Sequence, residues 1–470
     1  MMTRDPRHLF LLAVLPFLFP LVSQAADTTS PNFIVVYCDD QGYQDLGCFG
    51  SPNIKTPNVD QLAAEGIRFT DFYSAYCVCS ASRASLLTGC YQPRISMRGV
   101  LGPHSEKAID SFRGMLHPDE VTIADMLKGR GYATAMVGKW HVGDSPETLP
   151  AAQGFDSYFG IPYSNDMARI KGWGNNPTDL DKIWSLKKWD IYKNELYRNR
   201  KVIESPVNQV TITDRYTAES LKFIRTNKDK PFFLYLAQTM PHVPLFVSDD
   251  RYDADPHQAY RLTIEHIDWS VGQIMQTLKE LDLAENTFIV YTSDNGPWLS
   301  KKHHGGSALP LRAGKSTTYE GGMRVPCVIR WPARVKPGQV CSQVASTIDL
   351  LPTFARIVGA TLDDSRPIDG LDVSGLLDDP DSESPHDKTG FYYFRNNRLE
   401  AIRLGDWKLH FKRTLELYNL REDIAESKNQ AEKETERVKQ LTAVAERYHA
   451  DLKAHTRPAW SPAARTSPGK

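Results

Sequence analysis

Short apolar runs separated by helix-forming segments fill the first three-quarters of this chain, and they constrain its fold more than any other feature. The runs at residues 32–38, 231–237 and 286–292 lack the alternation of a half-exposed strand, so we interpret them as strands buried on both faces. Between the last two, apolar side chains recur every three or four positions over residues 260–281, which predicts a core-facing helix. This alternation predicts an α/β fold in which helices sandwich a large, mixed, mostly parallel sheet.

The pattern changes in the last fifth of the chain. Aromatic-rich segments at 390–395, 398–404 and 407–413 precede a polar helix at 432–454, which together predict a small antiparallel sheet with one helix packed on it. Residues 173–199 have no clear period, and we interpret them as a loop that either lines a ligand site or is a plain surface excursion. The predicted organisation is a signal peptide at 1–25, a large α/β domain at 26–385, a small C-terminal α+β subdomain at 386–456 and a disordered tail at 457–470.

The N-terminus has the three parts of an export signal. Arg4 and Arg7 precede an apolar run at residues 9–22, and small residues around Ala25 suit cleavage by a signal peptidase. The run is shorter than the roughly 20 residues of a membrane span and contains two prolines, which disfavours the alternative of an uncleaved anchor. We therefore expect export to a periplasm or secretion, with no stable membrane insertion.

Charge and cysteine content limit the partners. The chain carries 56 lysine and arginine residues against 57 aspartate and glutamate residues, so it lacks the basic surplus that nucleic acid attracts. Its seven cysteines are an odd number, and in an exported protein they could pair as disulfides with at least one left over. We expect no nucleic-acid partner, and the sequence leaves the disulfide pairing open.

A cysteine and an arginine lie four residues apart in the run Cys79-Ser-Ala-Ser-Arg83, with an apolar helical stretch behind them. This spacing places a candidate nucleophile and a fixed positive charge on one turn at the start of a helix. A helix N-terminus attracts anions, and a guanidinium group binds a tetrahedral oxyanion through two hydrogen bonds. The run therefore predicts a site for an oxyanion.

Carboxylate and amide side chains follow two of the predicted strands. Asp39 and Asp40 follow the first strand, and Asp294 and Asn295 follow the strand at 286–292. Taken alone, such a pair is usually a turn or a helix cap. Two pairs beside the Cys79 run favour a cage of oxygen ligands, which suits Ca²⁺, or alternatively Mg²⁺, better than a thiolate-binding metal.

Basic side chains form a second set. A lone histidine or lysine after a strand is more often structural or solvated, but several of them fall at the same predicted end of the sheet. Together they suit a dianionic oxyanion in a partly dry site. The members of this set are Arg83, Lys139, His141, His242 and Lys315.

These motifs, in their order along the chain, closely resemble those of the sulfatase family. The segment Ile-Pro-Tyr-Ser at 161–164 is similar to the branch that contains arylsulfatase A and N-acetylgalactosamine-6-sulfatase. The C-terminal segments Gly-Asp-Trp-Lys and Leu-Tyr-Asn-Leu also look like that family. The motifs are Asp-Asp-x-Gly at 39–42, the Cys79 run, Gly-Lys-Trp-His at 138–141, Pro-His at 241–242, Ser-Asp-Asn-Gly at 293–296 and Gly-Lys-x-Thr-Thr-Tyr-Glu-Gly-Gly at 314–322.

The resemblance implies that a maturase oxidises Cys79 to formylglycine (3-oxoalanine). One hydroxyl of its hydrate attacks the sulfur of a sulfate ester, and the other then expels sulfate from the covalent sulfoenzyme. Ala81 stands where many members of the family carry proline, which the aerobic maturase favours and the anaerobic radical maturase does not need. Which maturation system acts on this chain stays open.

The resemblance also implies roles for the other residues. Asp39, Asp40, Asp294 and Asn295 would hold Ca²⁺. Arg83 and Lys139 would stabilise the hydrate, and His141 would take a proton when the sulfoenzyme breaks down. The substrate would be bound by Ser164, Lys139, His242 and Lys315, with His242 and Lys315 also assisting the leaving oxygen.

Export and the branch resemblance favour a sulfated carbohydrate cleaved at a chain end. His304, together with His303 and the segment at 173–199, is a candidate for a sugar subsite, although the two histidines could equally form a solvated turn.

Three other functions are consistent with parts of this pattern. A phosphatase or phosphodiesterase of the alkaline-phosphatase superfamily would need a Ser or Thr nucleophile and two zinc ions. A non-catalytic relative that binds sulfated glycans would have lost a residue such as Arg83 or Lys315, and both are present. A Cys-His-Asn hydrolase could use Cys79 and His141 but would leave the acidic cage without a role.

Overall fold

The computed structural model describes residues 30–103, 114–168 and 179–461, so the predicted signal peptide and residues 462–470 of the predicted tail lie outside the described residues. Its strands are β1 (Asn32–Cys38), β2 (Ile67–Phe69), β3 (Phe72–Tyr73), β4 (Ala133–Lys139), β5 (Ser157–Ile161), β6 (Leu196–Arg198), β7 (Lys201–Glu204), β8 (Phe232–Ala237), β9 (Thr287–Ser293), β10 (Cys327–Arg330), β11 (Gln339–Cys341), β12 (Ala345–Ser346), β13 (Phe391–Arg395), β14 (Arg398–Leu404), β15 (Trp407–His410) and β16 (Glu416–Asn419). Its helices are α1 (Pro57–Ala64), α2 (Cys79–Thr88), α3 (Ile123–Lys128), α4 (Leu180–Ser185), α5 (Ile212–Thr226), α6 (Ala259–Glu280), α7 (Glu320–Met323), α8 (Leu350–Ile357), α9 (Gly375–Asp378), α10 (His386–Thr389) and α11 (Thr435–Ala454).

A ten-stranded sheet forms the centre of the molecule, in the order β11-β2-β10-β9-β1-β8-β4-β5-β6-β7. The five strands from β9 to β5 in this order run parallel, whereas β10, β6 and β7 pair antiparallel with their neighbours. This arrangement confirms the predicted α/β fold with a large, mixed, mostly parallel sheet.

The central strands are apolar on both faces because each face packs on a layer of helices. Along β1, Ile34 and Val36 face the core shared with α5 and α6, while Phe33 and Val35 face the core shared with α2 and α8. Every residue of β1, β4, β8 and β9 is buried. Because neither face of such a strand is exposed to solvent, its sequence is a continuous apolar run without polar alternation, and this run identified the strands in the sequence.

Strands β13 to β16 form a separate antiparallel sheet on which α11 packs. Leu441 and Ala445 of the helix share a third core with Phe391 and Leu409 of the sheet. A small antiparallel sheet with one helix was predicted here, although the sequence pattern did not identify β16 as a strand.

The chain after α11 contacts the large domain. Arg457 donates from Nε and Nη2 to the buried carboxylate of Glu120 at 2.8 and 2.9 Å. Trp460 pairs through its backbone with Met115. Residues 457–461, the described part of the predicted tail, thus lie against the large domain.

The segment predicted as a loop contains regular structure in its described part. Asp179 accepts a hydrogen bond from the Lys182 N–H at 3.0 Å and so caps α4, while Trp184 is buried and donates to the Asp253 carbonyl at 2.8 Å. Strand β6 extends the large sheet by pairing with β5. The loop prediction is wrong for α4 and β6, because caps and tertiary burial stabilise elements too short to show a period. Residues 173–178 lie outside the described ranges.

Two further findings bear on the predicted environment. Within the described part of the chain, no helix is long and apolar enough to cross a membrane. All seven cysteines lie in that part and carry free thiols.

Candidate active site

The predicted site residues meet at the carboxyl edge of the parallel strands. Asp39 and Asp40 follow β1, Asp294 and Asn295 follow β9, and Lys139 ends β4. The carboxyl ends of parallel strands share one edge of a sheet, where ligands bind in folds of this class. Helix α2 and the loops after β4, β5, β8 and β9 bring in the remaining members, Cys79, Arg83, His141, Ser164, His242 and Lys315.

Three buried carboxylates lie together at this edge. The Asp40 N–H donates to Asp294 Oδ1 at 3.1 Å, and Asn295 Nδ2 donates to Asp40 Oδ1 at 2.7 Å. Asp40 has a φ of 65°, in the left-handed region that side chains other than glycine rarely adopt. Backbone strain of this kind persists where the surrounding contacts hold it, and it is common at functional sites.

The oxygen atoms of this group fit a hard divalent cation. Asp39 Oδ1 and Asn295 Oδ1 are buried and find no hydrogen-bond donor among the described residues. Burial and the charges of Asp39 and Asp40 raise the pKa of Asp294 to about 7, because neighbouring carboxylates repel one another. A cation with oxygen ligands would satisfy both orphan atoms and neutralise this charge.

Two lysines lie against the carboxylates. Lys139 Nζ donates to Asp39 Oδ2, and also to Ser164 Oγ at 3.1 Å. Lys315 Nζ lies 2.6 and 2.7 Å from the two oxygens of Asp40. Burial alone would raise the pKa of Asp39, but these and other neighbouring positive charges hold that pKa well below its ordinary value.

Cys79 is the first residue of the fully buried helix α2, and Arg83 lies one turn later. Arg83 Nε donates to Asp294 Oδ2 at 2.9 Å, and Nη1 donates to the Lys139 carbonyl at 2.8 Å. Burial raises the pKa of the Cys79 thiol to about 11. An unmodified thiol at this position is therefore a poor source of thiolate.

His141 is a buried, neutral imidazole. Its Nε2 lies 2.9 Å from the Leu101 carbonyl oxygen, so the ring hydrogen belongs on Nε2 and Nδ1 is an acceptor. Nδ1 has no partner in the part of the chain that the structure describes. Burial and the charges of Lys139 and Arg83 lower the pKa of His141 well below its ordinary value. Nδ1 of His141 thus carries a free imidazole lone pair in the site.

Asn165, which the sequence motifs did not identify, orients His242. Its Oδ1 lies 3.1 Å from His242 Nδ1, and its Nδ2 donates to the His242 carbonyl at 3.3 Å. His242 Nδ1 also lies 2.7 Å from the Val243 carbonyl, so its hydrogen is on Nδ1. Nε2 is then turned toward Asp40, with Oδ2 at 3.7 Å.

Trp298 forms an apolar wall beside these polar groups. The centroid of its half-buried ring lies 5.5 Å from that of His242 and 4.5 Å from Lys315 Nζ. Its place three residues after Asn295 was the sequence signal that could have identified it.

A buried charged network joins the Lys315 loop to the C-terminal sheet. The carboxylate of Glu320, at the start of α7, accepts from Lys408 Nζ at 2.8 Å and from the Tyr393 hydroxyl at 3.1 Å. The Glu320 N–H donates to Glu426 Oε2 at 2.7 Å. Sequence reasoning missed this role of Glu320, because its partners lie on strands far along the chain.

His304, predicted to contact a sugar, is directed to a different element. Its Nε2 lies 2.8 Å from Asp181 Oδ1 of α4, and His303 Nε2 lies 2.7 Å from the same oxygen. The His304 side chain is 3% exposed. The structure therefore brings together the other predicted site residues and places His304 in a second cluster.

Comparisons with known proteins agree with this geometry. The profile of the family described as Sulfatase matches residues 31–360, and the profile described as N-sulphoglucosamine sulphohydrolase, C-terminal, matches residues 313–454. Arylsulfatase A of Homo sapiens is 38% identical over 402 residues, which cover 84% of this chain and 77% of that protein. N-acetylgalactosamine-6-sulfatase of Canis lupus familiaris is 36% identical over 393 residues, which cover 81% and 72%.

A solved structure extends the agreement to the fold. The crystal structure of Ps i-CgsB in complex with k-i-k-neocarrahexaose matches with a TM-score of 0.77 and 31% identity, covering 93% of this chain and 96% of that one. The family match, the sequence relatives and the fold all lead to the same assignment. This chain belongs to the sulfatase family and is a sulfuric ester hydrolase.

Proposed function

We propose that the protein removes sulfate from a sulfated carbohydrate, with Cys79 converted to formylglycine and one Ca²⁺ bound beside it. The observation that carries this proposal is the position of Cys79, which is buried at the start of α2. It is close enough to Lys139, Lys315, Asp39 and Asp294 for their charges to influence its pKa. The ion would be held by Asp39, Asp40, Asp294 and Asn295.

Each of the two groups supplies chemistry that the unmodified chain lacks. Hydrated formylglycine supplies a hydroxyl nucleophile in place of a thiol whose burial keeps it protonated. Bound Ca²⁺ supplies positive charge that lowers the free energy of a developing oxyanion. Mg²⁺ is the alternative ion for the same oxygen ligands.

The cationic side chains bind and orient the sulfate group. Arg83 is fixed by Asp294, and Lys139 by Asp39 and Ser164, so neither side chain needs to reorganise when an anion enters. Preorganised charges of this kind act most strongly in a site that excludes water.

The two histidines carry their ring hydrogen on different nitrogens and therefore have different tasks. His141 keeps its hydrogen on Nε2 for the Leu101 carbonyl, so its free Nδ1 is the atom that takes a proton during sulfate release. His242 keeps its hydrogen on Nδ1, so its Nε2 donates to the ester oxygen once it has taken up a second proton. Lys315, a primary ammonium 4.5 Å from the Trp298 ring centroid, supplies a donor to the leaving oxygen.

Two observations support a carbohydrate as the substrate. The half-buried Trp298 ring beside His242 and Lys315 offers an apolar face against which a sugar ring packs. Related proteins carry names of carbohydrate sulfatases, and one matching structure holds k-i-k-neocarrahexaose. We also propose that the enzyme acts at the end of a carbohydrate chain and is exported to a periplasm or the cell exterior. The maturase that oxidises Cys79 would have to accept Ala81 two residues later.

The rival functions fit the site less well. A phosphatase with two zinc ions needs several nitrogen ligands, whereas His242 contributes a single imidazole nitrogen near Asp39 and Asp40 among the described residues. A Cys-His-Asn hydrolase needs a thiolate, whereas burial raises the pKa of Cys79 to about 11. A non-catalytic glycan-binding relative would have no use for the unpartnered lone pair of His141.

The test combines activity, mass and metal content on one preparation. We expect sulfate release from at least one member of a panel of defined sulfated mono- and oligosaccharides, and loss of that release in Cys79→Ala. The Cys79 peptide from the active protein should have the mass of formylglycine, and the protein should contain one Ca²⁺ per chain. An unmodified thiol in fully active protein would overturn the nucleophile, and activity confined to an aryl sulfate control would overturn the carbohydrate.

A further inference from the structure

A second cluster of metal-binding side chains lies outside the proposed active site. The donor atoms Asp181 Oδ1, His303 Nε2 and His304 Nε2 all lie within 4.8 Å of one another. The two imidazole nitrogens are 2.7 and 2.8 Å from the same carboxylate oxygen. Three donors from two separate segments of chain thus converge on one point.

We propose that Asp181, His303 and His304 form a site for a transition-metal ion, with Zn²⁺ as the best fit. Two imidazole nitrogens and one carboxylate oxygen are a ligand set that zinc binds in proteins, and they suit Ca²⁺ poorly. Because the chain contributes three ligands, a fourth position is left for solvent. Coordination requires that each ring carry its hydrogen on Nδ1 instead of Nε2, and that the donor atoms separate from 2.7 and 2.8 Å to admit the ion. His304 Nδ1 is buried with no acceptor among the described residues, so this hydrogen would remain unpaired there.

The ligands are held by well-packed structure. His304 is 3% exposed, and the ring of His257 stacks on His303 with the centroids 4.1 Å apart. Asp181 lies in the first turn of α4, which is anchored by buried Trp184 and its hydrogen bond to the Asp253 carbonyl. Ligands whose orientation is fixed in advance lose little entropy when they bind an ion.

The site is also accessible from solvent. The Asp181 side chain is 52% exposed and that of His303 is 26% exposed, so an ion can enter and leave without unfolding. Bound metal would join α4 to the segment Leu299–His304, which follows directly after Trp298. The ion would therefore link the segment at 179–199 to the loop that carries Trp298 of the proposed active site.

The test measures metal binding and not catalysis. The full-length protein is stripped with a chelator, and Ca²⁺ is returned in excess so that the oxygen cage stays occupied. Calorimetric titration with Zn²⁺ should then show one ion per chain. Co²⁺ as a spectroscopic probe should give visible d–d bands without the thiolate charge-transfer band that binding by a free cysteine would produce.

Matched variants decide the assignment. Asp181→Asn and His303→Ala, which change exposed or half-buried side chains, should each weaken Zn²⁺ binding about tenfold or more. His304→Ala should also weaken Zn²⁺ binding. If alanine at this buried position prevents folding, Asp181→Asn and His303→Ala still test the site. The control His455→Ala alters an exposed histidine that pairs with Asp451 and should bind Zn²⁺ like the wild type. Unchanged binding in Asp181→Asn and His303→Ala, or no stoichiometric Zn²⁺ in the wild type, would overturn the proposal.

Discussion

At the scale of single residues, Asn165 determines how His242 is presented. Asn165→Ala removes the acceptor 3.1 Å from His242 Nδ1 and leaves the Val243 carbonyl to hold the ring, so the ring is less firmly oriented toward the ester oxygen. We expect kcat/KM on the best sulfate ester to fall about 10- to 100-fold. Steady-state kinetics with urea unfolding in parallel measures both effects.

Two further variants separate positioning from stability in this experiment. Asn165→Asp keeps an acceptor for Nδ1 and should retain more kcat/KM than alanine does. Asn208→Ala removes a cap 3.0 Å from the Val210 N–H, so it should cost about 1 kcal/mol of stability with unchanged kinetics. Equal kinetic losses in Asn165→Ala and Asn208→Ala would contradict a positioning role.

His141 sets the pH dependence expected of the reaction. The group acts as a base only when neutral, and burial lowers its pKa below the ordinary value of about 6.5. The kcat of the wild type should therefore hold its plateau as the pH falls through about 6.5 and decline only at lower pH, when a proton occupies Nδ1.

The matching variant is His141→Gln, which keeps a polar group but no base. It should lower kcat by about 10²- to 10⁴-fold and remove the acidic limb from the pH profile of kcat. A wild-type limb centred at or above the ordinary histidine pKa would show that His141 is not the base.

At the scale of elements, the sequence predicted a strand or helix well when its own residues show the pattern, and poorly when contacts with distant residues stabilise it. Strands β1, β8 and β9 were predicted to within one residue, because a strand buried on both faces has consecutive apolar residues that are visible in the sequence. Helix α4 was missed, since a six-residue helix shows no period and is stabilised by its cap and by Trp184. Elements whose stability comes from their neighbours leave little local signal.

The same distinction applies to the candidate site. Asp39 and Asp294 were identified because each stands directly after a recognisable strand. Asn165 and Glu320 were not, because their partners lie 77 residues away at His242 and 88 residues away at Lys408. Only the folded topology shows such pairs.

The contact between α7 and β15 leads to a prediction about stability. Glu320 is fully buried, and burial would raise its pKa, but the charges of Lys408 and Arg324 hold that pKa well below its ordinary value. Glu320→Gln removes one of the two carboxylates that each cation contacts, because Lys408 keeps Glu426 at 3.0 Å and Arg324 keeps Asp71 at 2.7 Å. It should lower the free energy of unfolding by about 1–3 kcal/mol. Thermal and urea denaturation measure this loss.

A double-mutant cycle tests the cause of that loss. Glu320→Gln has already weakened the contact with Lys408 that Lys408→Met removes, so the double variant should be more stable than the sum of the single effects predicts. Glu436→Gln breaks an exposed pair with Lys439 and should change stability little. Strictly additive effects at 320 and 408 would mean that the two side chains do not act as a pair.

At the scale of the whole molecule, the proposed calcium site joins distant parts of the chain. Its ligands follow β1 and β9 at the centre of the sheet, Arg83 links it to α2, and Lys315 links it to the loop before α7. That loop is in turn tied to the C-terminal sheet through Glu320. A change in charge at this edge of the large sheet should therefore alter the stability of both sheets.

Removal of divalent cations should accordingly lower the melting temperature of the entire protein. The cation binds the folded state alone, so at a concentration about 100 times its Kd it stabilises the fold by about 2.7 kcal/mol. Calorimetry in calcium and in a calcium chelator measures the shift. Asp294→Asn removes one ligand and should make the melting temperature insensitive to calcium, whereas His303→Ala, in the proposed zinc site, should keep the full response. A wild-type protein that melts at the same temperature in calcium and in chelator would mean that the three carboxylates are balanced by Arg83, Lys139 and Lys315 alone.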